Sequence, residues 1–397
     1  MWIRTKDVDK LDRIIAACRE WNALSEATLP REMKRRRLKN RSIQVMLKVA
    51  YGLFWRPNSK APRSVVLFQG LRSSSLFCLF PKEELYIIGS WIERNYARAH
   101  GYGFIPAHPV LYSLLLAIHR NLKLPARWHL RRWRRWISDR EVTVVVYEDT
   151  QPIGTFLALL SDSDEYCYHA ICIQHGHFNP RVSPYRPDGR LTEYNLTWSD
   201  QQADWISNRP EKTKVVGLPY EATAAPAEGQ LRVLFIGLGA GPYQSDGIRL
   251  FDNIAKAIRS SFGTVEISYR PHPQEFGEPK KIVECERIFG CIDRSEKVKL
   301  LNGPWTLFIG EVSSLLYEAK QSGHLTAFLP VDPNNIATGF HDITVDPENL
   351  DALVDSIREA IANPPPLPLN RAAAGDALQR FTTAVRALGI LHFEART

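Results

Sequence analysis

The sequence predicts an α/β protein in which a doubly wound parallel sheet is built twice. Three observations carry this prediction. Continuous apolar, β-branched runs alternate with stretches of helical periodicity, the mark of parallel strands covered on both faces. The alternation is interrupted at EATAAPAEGQ (221–230), which lacks apolar periodicity and reads as an inter-domain linker. The length of 397 residues suits two domains of roughly 100–200 residues each.

In the first half, strands are expected at SVVLFQG (64–70), ELYIIGS (84–90), VTVVVYED (142–149), HAICIQHG (169–176), YNLTWS (194–199) and KVVGLP (214–219). Helical spacing fits 6–24, 92–100, 110–137 and 200–207 better. The second half repeats the style. Its strands are RVLFIGLG (232–239), VEISYRPHP (265–273), TLFIGEVSS (306–314) and LTAFLP (325–330), with helices over 247–262, 277–289 and 314–322. NPPPLPLN (363–370) is a stiff extended spacer leading to a last helix, 371–388. The expected domains are 1–225 with a basic N-terminal region, 231–362, and 363–397 as spacer and C-terminal helix.

Composition narrows the class. Hydrophobic residues at 44% and charged residues at 24% exclude global disorder and low-complexity protein. No apolar run approaches the roughly 18 residues of a membrane span. The opening MWIRTKDVDK is charged, so no signal peptide is expected in it. Six scattered cysteines without a CxxC pair argue against a zinc ribbon and fit a reducing cytoplasm, so a cytoplasmic protein is expected. The net charge of +8 is uneven: residues 1–140 hold 28 Lys and Arg against 10 Asp and Glu. REMKRRRLKNR (31–41) and RWHLRRWRRW (127–136) dominate that excess and suit a polyanion or an anionic membrane surface. Trp128, Trp133 and Trp136 are the expected anchors if α-helical residues 127–136 meet lipid; otherwise they form a core face with a solvated basic face opposite. Nucleic-acid binding is disfavoured, since no recognised motif for it appears.

Four motifs fall at expected strand ends, where open α/β sheets bind ligands. RPHP (270–273) follows the second strand of the second half. Pro271 and Pro273 prevent a helix around His272 and hold an imidazole and the Arg270 guanidinium near the sheet edge. GEVSSLLYEAKQSG (310–323) places Ser313 and Ser314 at a helix start, where free N–H groups and hydroxyls attract an anion. The plain alternative is an ordinary N-cap. Glu318, one turn on, is placed for a ribose hydroxyl or for solvent. GLGAGPYQSDG (237–247) is a glycine-containing loop with Gly239 available to a phosphate, Pro242 breaking any dinucleotide fingerprint, and Asp246 as its carboxylate. QHGHFNPR (174–181) offers His175 as a general base near neutral pH, or as a residue that orders the loop. Glu148 and Asp149, ending the strand VTVVVYED, are further carboxylate bases. SDSDE (161–165) spells D-x-D but reads as a polar loop between strands, so no metal site is expected.

The paired halves, "WS…KVVGLP", HP and SS-helix motifs resemble GT-B glycosyltransferases over roughly 140–362. Among them the likeness is to bacterial CMP-sugar transferases (sialyl-, polysialyl- and Kdo-transferases of capsule and lipopolysaccharide synthesis) and to polyol-phosphate transferases of teichoic-acid type. The resemblance implies a GT-B-like α/β fold, two Rossmann-like domains facing a central cleft, with 1–225 on the acceptor side and 231–362 binding the nucleotide donor. It implies that His272, beside Pro273, and Ser313 and Ser314 contact the donor phosphate without a metal or other cofactor. The first half departs from the sialyltransferase pattern: QHG stands where an acidic-acidic-glycine motif is expected. The base is therefore His175 or a carboxylate among Glu148, Asp149 and Asp246. The expected function is transfer of a sugar, Kdo or sialic acid from a CMP-sugar, to a surface glycan or lipid-linked acceptor, on the inner face of the cytoplasmic membrane. The alternatives are CDP-polyol phosphotransfer, UDP-sugar epimerisation, and a non-catalytic polyanion-binding or degenerate synthase module.

Overall fold

The computed structural model describes residues 5–28, 61–147, 151–160, 167–174, 189, 191–206, 210–219, 224, 230–238, 244–272, 275, 278–311, 313–331, 341–363 and 377–388. It divides into two compact units, Met1–Pro219 with Ala377–Thr397, and Tyr220–Asp376.

The first unit is a seven-stranded parallel sheet in the order β3-β2-β1-β4-β5-β6-β7. Its strands are β1 (Ser64–Gln69), β2 (Leu85–Gly89), β3 (Gly103–Pro106), β4 (Glu141–Val146), β5 (Tyr168–Ile173), β6 (Tyr194–Thr197) and β7 (Thr213–Val215). Its helices are α1 (Thr5–Thr28), α2 (Trp91–His100), α3 (His108–Arg120), α4 (Leu124–Ile137), α5 (Pro152–Ala158) and α6 (Asp200–Ile206). The continuous apolar runs have a direct cause. Val65, Leu67, Val142 and Val144 face one core with α1, α3 and α4, while the alternate residues Val66, Phe68, Leu85 and Val145 face a second. Both faces of β1, β2, β4 and β5 are buried, so no polar alternation survives there.

The stretch expected as one helix over 110–137 is two. Asn121 takes a left-handed φ of 55° that ends α3, and Pro125 sits in the first turn of α4. Trp133 and Trp136, for which the sequence leaves membrane anchor and core face open, are core residues at 1% and 6% exposure. Trp133 packs edge-on against Trp136 and Phe156. Trp128 is half-buried under the Arg132 guanidinium, 3.2 Å from its ring centre. Trp133 and Trp136 of α4 therefore face the protein interior, while Arg135 is exposed and the other arginines of the helix are half-buried.

The second unit is a five-stranded parallel sheet in the order β12-β11-β10-β8-β9. It comprises β8 (Leu231–Ile236), α7 (Gln244–Ser261), β9 (Val265–Arg270), α8 (Pro279–Phe289), α9 (Lys297–Leu301), β10 (Leu307–Gly310), α10 (Ser314–Gln321), β11 (Leu325–Phe328), β12 (Ile343–Thr344) and α11 (Leu350–Ala362). Phe235, Phe251, Tyr269 and Phe289 centre its core, with ring centroids 4.9–5.2 Å apart in successive pairs. The last helix, α12 (Ala377–Ala387), packs on the first unit: Phe381 and Val385 join Val66 and Phe68. Arg380 Nε donates to the Val216 carbonyl at 2.9 Å.

Both sheets reverse direction beside their first strand. In the first unit β1 lies between β2 and β4; in the second, β8 lies between β9 and β10. The carboxyl ends at such a switch point are where a ligand reaches the chain between diverging loops.

Candidate functional site

In the second unit the structure brings the His272 and Ser313–Ser314 segments to one edge, on the two sides of Gly237. β8 lies between β9, which ends at Arg270 and His272, and β10, which leads to Ser313 and Ser314. The flanking strand ends are about 10 Å apart, two strand spacings.

The His272 loop is braced from beneath. Glu275 is fully buried, and its Oε2 accepts the His272 backbone N–H at 2.8 Å and the Tyr269 hydroxyl at 2.9 Å. Lys281 Nζ approaches its Oε1 to 2.5 Å. A buried carboxylate persists only with such partners. A Cβ on Gly237, at the end of β8, would overlap the Glu275 carboxylate and the His272 nitrogen, so the brace requires glycine there. Burial lowers the pKa of the His272 imidazole, against the pull of Glu275 and with a further push from Lys281. The ring is therefore neutral at neutral pH: a hydrogen-bond donor or acceptor, not a cation.

The other second-unit residues take distinct positions. Arg270 pairs with the Asp293 carboxylate and donates to the Ser295 carbonyl at 3.0 Å. Ser313 caps α10, its Oγ accepting the Leu315 N–H at 3.2 Å while its own O–H stays a donor. Ser314 is half-buried in the first turn. Glu318 is buried and paired with Lys297 at 3.0 Å. Asp246 lies on α7 with its side chain outside the described atoms; Gly239 and Pro273 lie outside the described residues.

In the first unit, His175, Glu148, Asp149 and the SDSDE segment lie outside the described residues. The residue before His175 is firmly set. Buried Gln174 donates to Gln202 Oε1 at 2.6 Å and accepts the Trp198 N–H at 2.7 Å. At the switch point of this sheet a crevice of about 330 Å³ opens among the ends of β1, β2 and β4. Gln69, Arg72, Glu93, His108, Tyr147 and Gln151 line it. Gln69 Oε1 accepts the Tyr147 N–H at 3.1 Å, and the Tyr147 hydroxyl accepts the Ser73 N–H at 3.0 Å. Ser90 and Glu93 form a capping box on α2, with the Ser90 N–H 2.7 Å from Glu93 Oε2. Burial opposes ionisation of Glu93, but the Ser90 hydrogen bonds and nearby His108 outweigh it and lower its pKa.

Sequence reasoning missed Glu275, Lys281 and the whole crevice. The spelling PQEFGEPKK (273–281) reads as a solvated loop, and nothing in it marks the one glutamate that turns inward. Gly70 and Gly89 at strand ends were the available signal for the crevice.

No family model and no curated sequence matches the chain. Solved structures do. One is a Listeria monocytogenes protein assigned as a UDP-N-acetylglucosamine 2-epimerase: TM-score 0.53, 13% identity, covering 85% of this chain and 98% of that one. The two share a fold. The UDP-GlcNAc 2-epimerase of Methanocaldococcus jannaschii gives TM-score 0.50 and 13% identity over 82% and 99%. TarM of S. aureus, solved with fondaparinux, α-GlcNAc-glycerol and UDP, is a looser likeness at TM-score 0.37 and 10% identity, over 66% of this chain. This chain spans 55% of TarM's length. The architecture is thus two parallel α/β units, the fold shared with these UDP-GlcNAc 2-epimerases.

Proposed function

We propose that the protein is a nucleotide-sugar-dependent glycosyltransferase whose second unit holds the donor nucleotide. The observation that carries this reading is the braced His272 loop and the Ser313 cap on the two strand ends flanking Gly237. Neutral His272, the Ser313 hydroxyl and the amides opening α10 supply donors for a phosphate that gains charge as it leaves. The acceptor oxygen attacks the anomeric carbon, the bond to the donor phosphate breaks, and the phosphate departs with the electron pair. The acceptor proton passes to a base, with His175 first and Glu148, Asp149 or Asp246 as the carboxylate alternatives. A CMP-sugar carrying Kdo or sialic acid is the donor this reading favours, and a CDP-polyol is the alternative. No metal is required, so EDTA leaves turnover unchanged.

Among the described residues no helix is long and apolar enough to cross a membrane. Attachment to an anionic membrane surface, as lipid-linked acceptors require, falls to the turn between α3 and α4. There Leu122 and Leu124 are 56% and 78% exposed beside Arg120, Lys123 and Arg127.

Thermal unfolding with CMP, CDP, UDP and GDP tests the donor reading. A ligand at about 100 times its Kd adds roughly 2.7 kcal/mol of stability. A shift with CMP that His272→Ala abolishes supports the proposal; no shift with any nucleotide ends it. The second reading, UDP-sugar epimerisation, is favoured by the fold shared with the epimerases. It predicts conversion of a UDP-sugar with no acceptor present.

A further inference from the structure

The segments that follow the strands of the second unit are short of positive charge. No Lys or Arg occurs in 237–247 after β8, 271–278 after β9, 311–313 after β10 or 329–340 after β11, whereas Asp246, Glu275, Glu278, Glu311 and Asp332 do. Two cations at this edge already have carboxylate partners: Arg270 pairs with Asp293, and Lys297 with Glu318. The groups that would meet a phosphate are therefore neutral: the His272 ring, the Ser313 hydroxyl and the amides opening α10. Neutral donors stabilise a single negative charge by orientation; a second charge beside it calls for a cation.

Beneath these donors lies a fixed carboxylate. Glu275 is fully buried, and its two oxygens have different neighbours. Oε1 takes Lys281 Nζ at 2.5 Å. Oε2 accepts the His272 N–H at 2.8 Å and is the atom that a Cβ on Gly237 would strike. The cation thus sits on one oxygen and the phosphate seat lies against the other, so the seat meets the negative end of the pair. Away from water that end is weakly screened.

We infer that Glu275 is a specificity-determining residue of the donor seat: its buried carboxylate admits a leaving group with one phosphate and disfavours a second phosphate beside it. The inference rests on the proposed nucleotide reading and adds to it the residue that counts phosphates.

Isothermal titration of the full chain with CMP, CDP, UMP and UDP in EDTA tests it, since a divalent cation would mask the second phosphate. Expected is at least tenfold tighter binding of each monophosphate than of its diphosphate. Glu275→Gln leaves Lys281 as a lone cation beneath the seat and should reverse that order. The double variant Glu275→Gln with Lys281→Met removes both charges and keeps the test open if the single variant fails to fold. It should bring the two affinities within about threefold of each other. Diphosphates bound as well as monophosphates by the unaltered protein, or a monophosphate preference retained in the folded variants, overturns the inference and leaves the nucleotide reading standing. No binding of any of the four nucleotides overturns both.

Discussion

In the second unit the carboxyl edge of the sheet is braced from below by a buried ion pair, Glu275 with Lys281, that fixes the backbone of His272. In the first unit the corresponding edge is an open crevice whose walls are held by neutral or capping hydrogen bonds, Gln69 to Tyr147 and Ser90 to Glu93. The contrast is one of materials. A buried pair is costly to assemble and gives little slack, which suits a group of fixed charge and geometry such as a phosphate. Amides and hydroxyls at a rim tolerate several arrangements.

The comparison breaks most readily at Lys281. Lys281→Met leaves Glu275 buried without its cation and should cost about 3–5 kcal/mol. Chemical denaturation followed by far-UV circular dichroism checks this, and a loss under 1 kcal/mol would show that the brace is slack. His272→Ala touches only the rim of the same edge. It should leave the unfolding midpoint within noise and reduce turnover with the active donor roughly 10²–10³-fold.

The first unit has a pH-dependence of its own. Burial pushes the imidazole of His129, 1% exposed on α4, down to about 4, with Arg132 adding to the effect. In the unfolded chain it takes up a proton near 6.5, whereas in the folded chain it resists until about 4. Stability is therefore present above pH 6.5 and is lost as pH falls from 6.5 to 4, by about 3 kcal/mol in all. Tryptophan fluorescence isolates this unit, because nine of the ten tryptophans precede residue 220. His129→Leu should flatten the pH slope. The smallest effect concerns the surface: Leu122→Ser with Leu124→Ser should leave folding unchanged and weaken flotation with vesicles rich in phosphatidylglycerol. Equal flotation of both proteins would remove that turn from any membrane role.

How far the sequence could be read follows from the physics of each element. β1, β4, β5 and β8 were legible because strands buried on both faces leave unbroken apolar runs. β3 was missed because GFIP offers only two apolar residues before a proline, and α5 because PIGTFLA contains Gly and Thr with no helical stripe. In the α4 sequence, Trp133 and Trp136 lie on one face whether that face meets lipid or core, and periodicity alone does not choose. The positions of His272 after β9 and of Ser313 at a helix start were legible because proline and a capping serine are local signals. Glu275 was not, because its burial is decided by Gly237 and Tyr269, residues 38 and 6 positions earlier in the chain.

The return of α12 to the first unit has a consequence for how the protein is made. Phe381 and Val385 complete a core begun by Val66 and Phe68, more than 300 residues earlier. On the ribosome the first unit is begun first and finished last, since its closing helix emerges only after all of the second unit. Until then, part of the Val66–Phe68 face is without its cover. A nascent chain stalled before residue 377 should therefore expose that face to chaperones even while its second unit is fully folded.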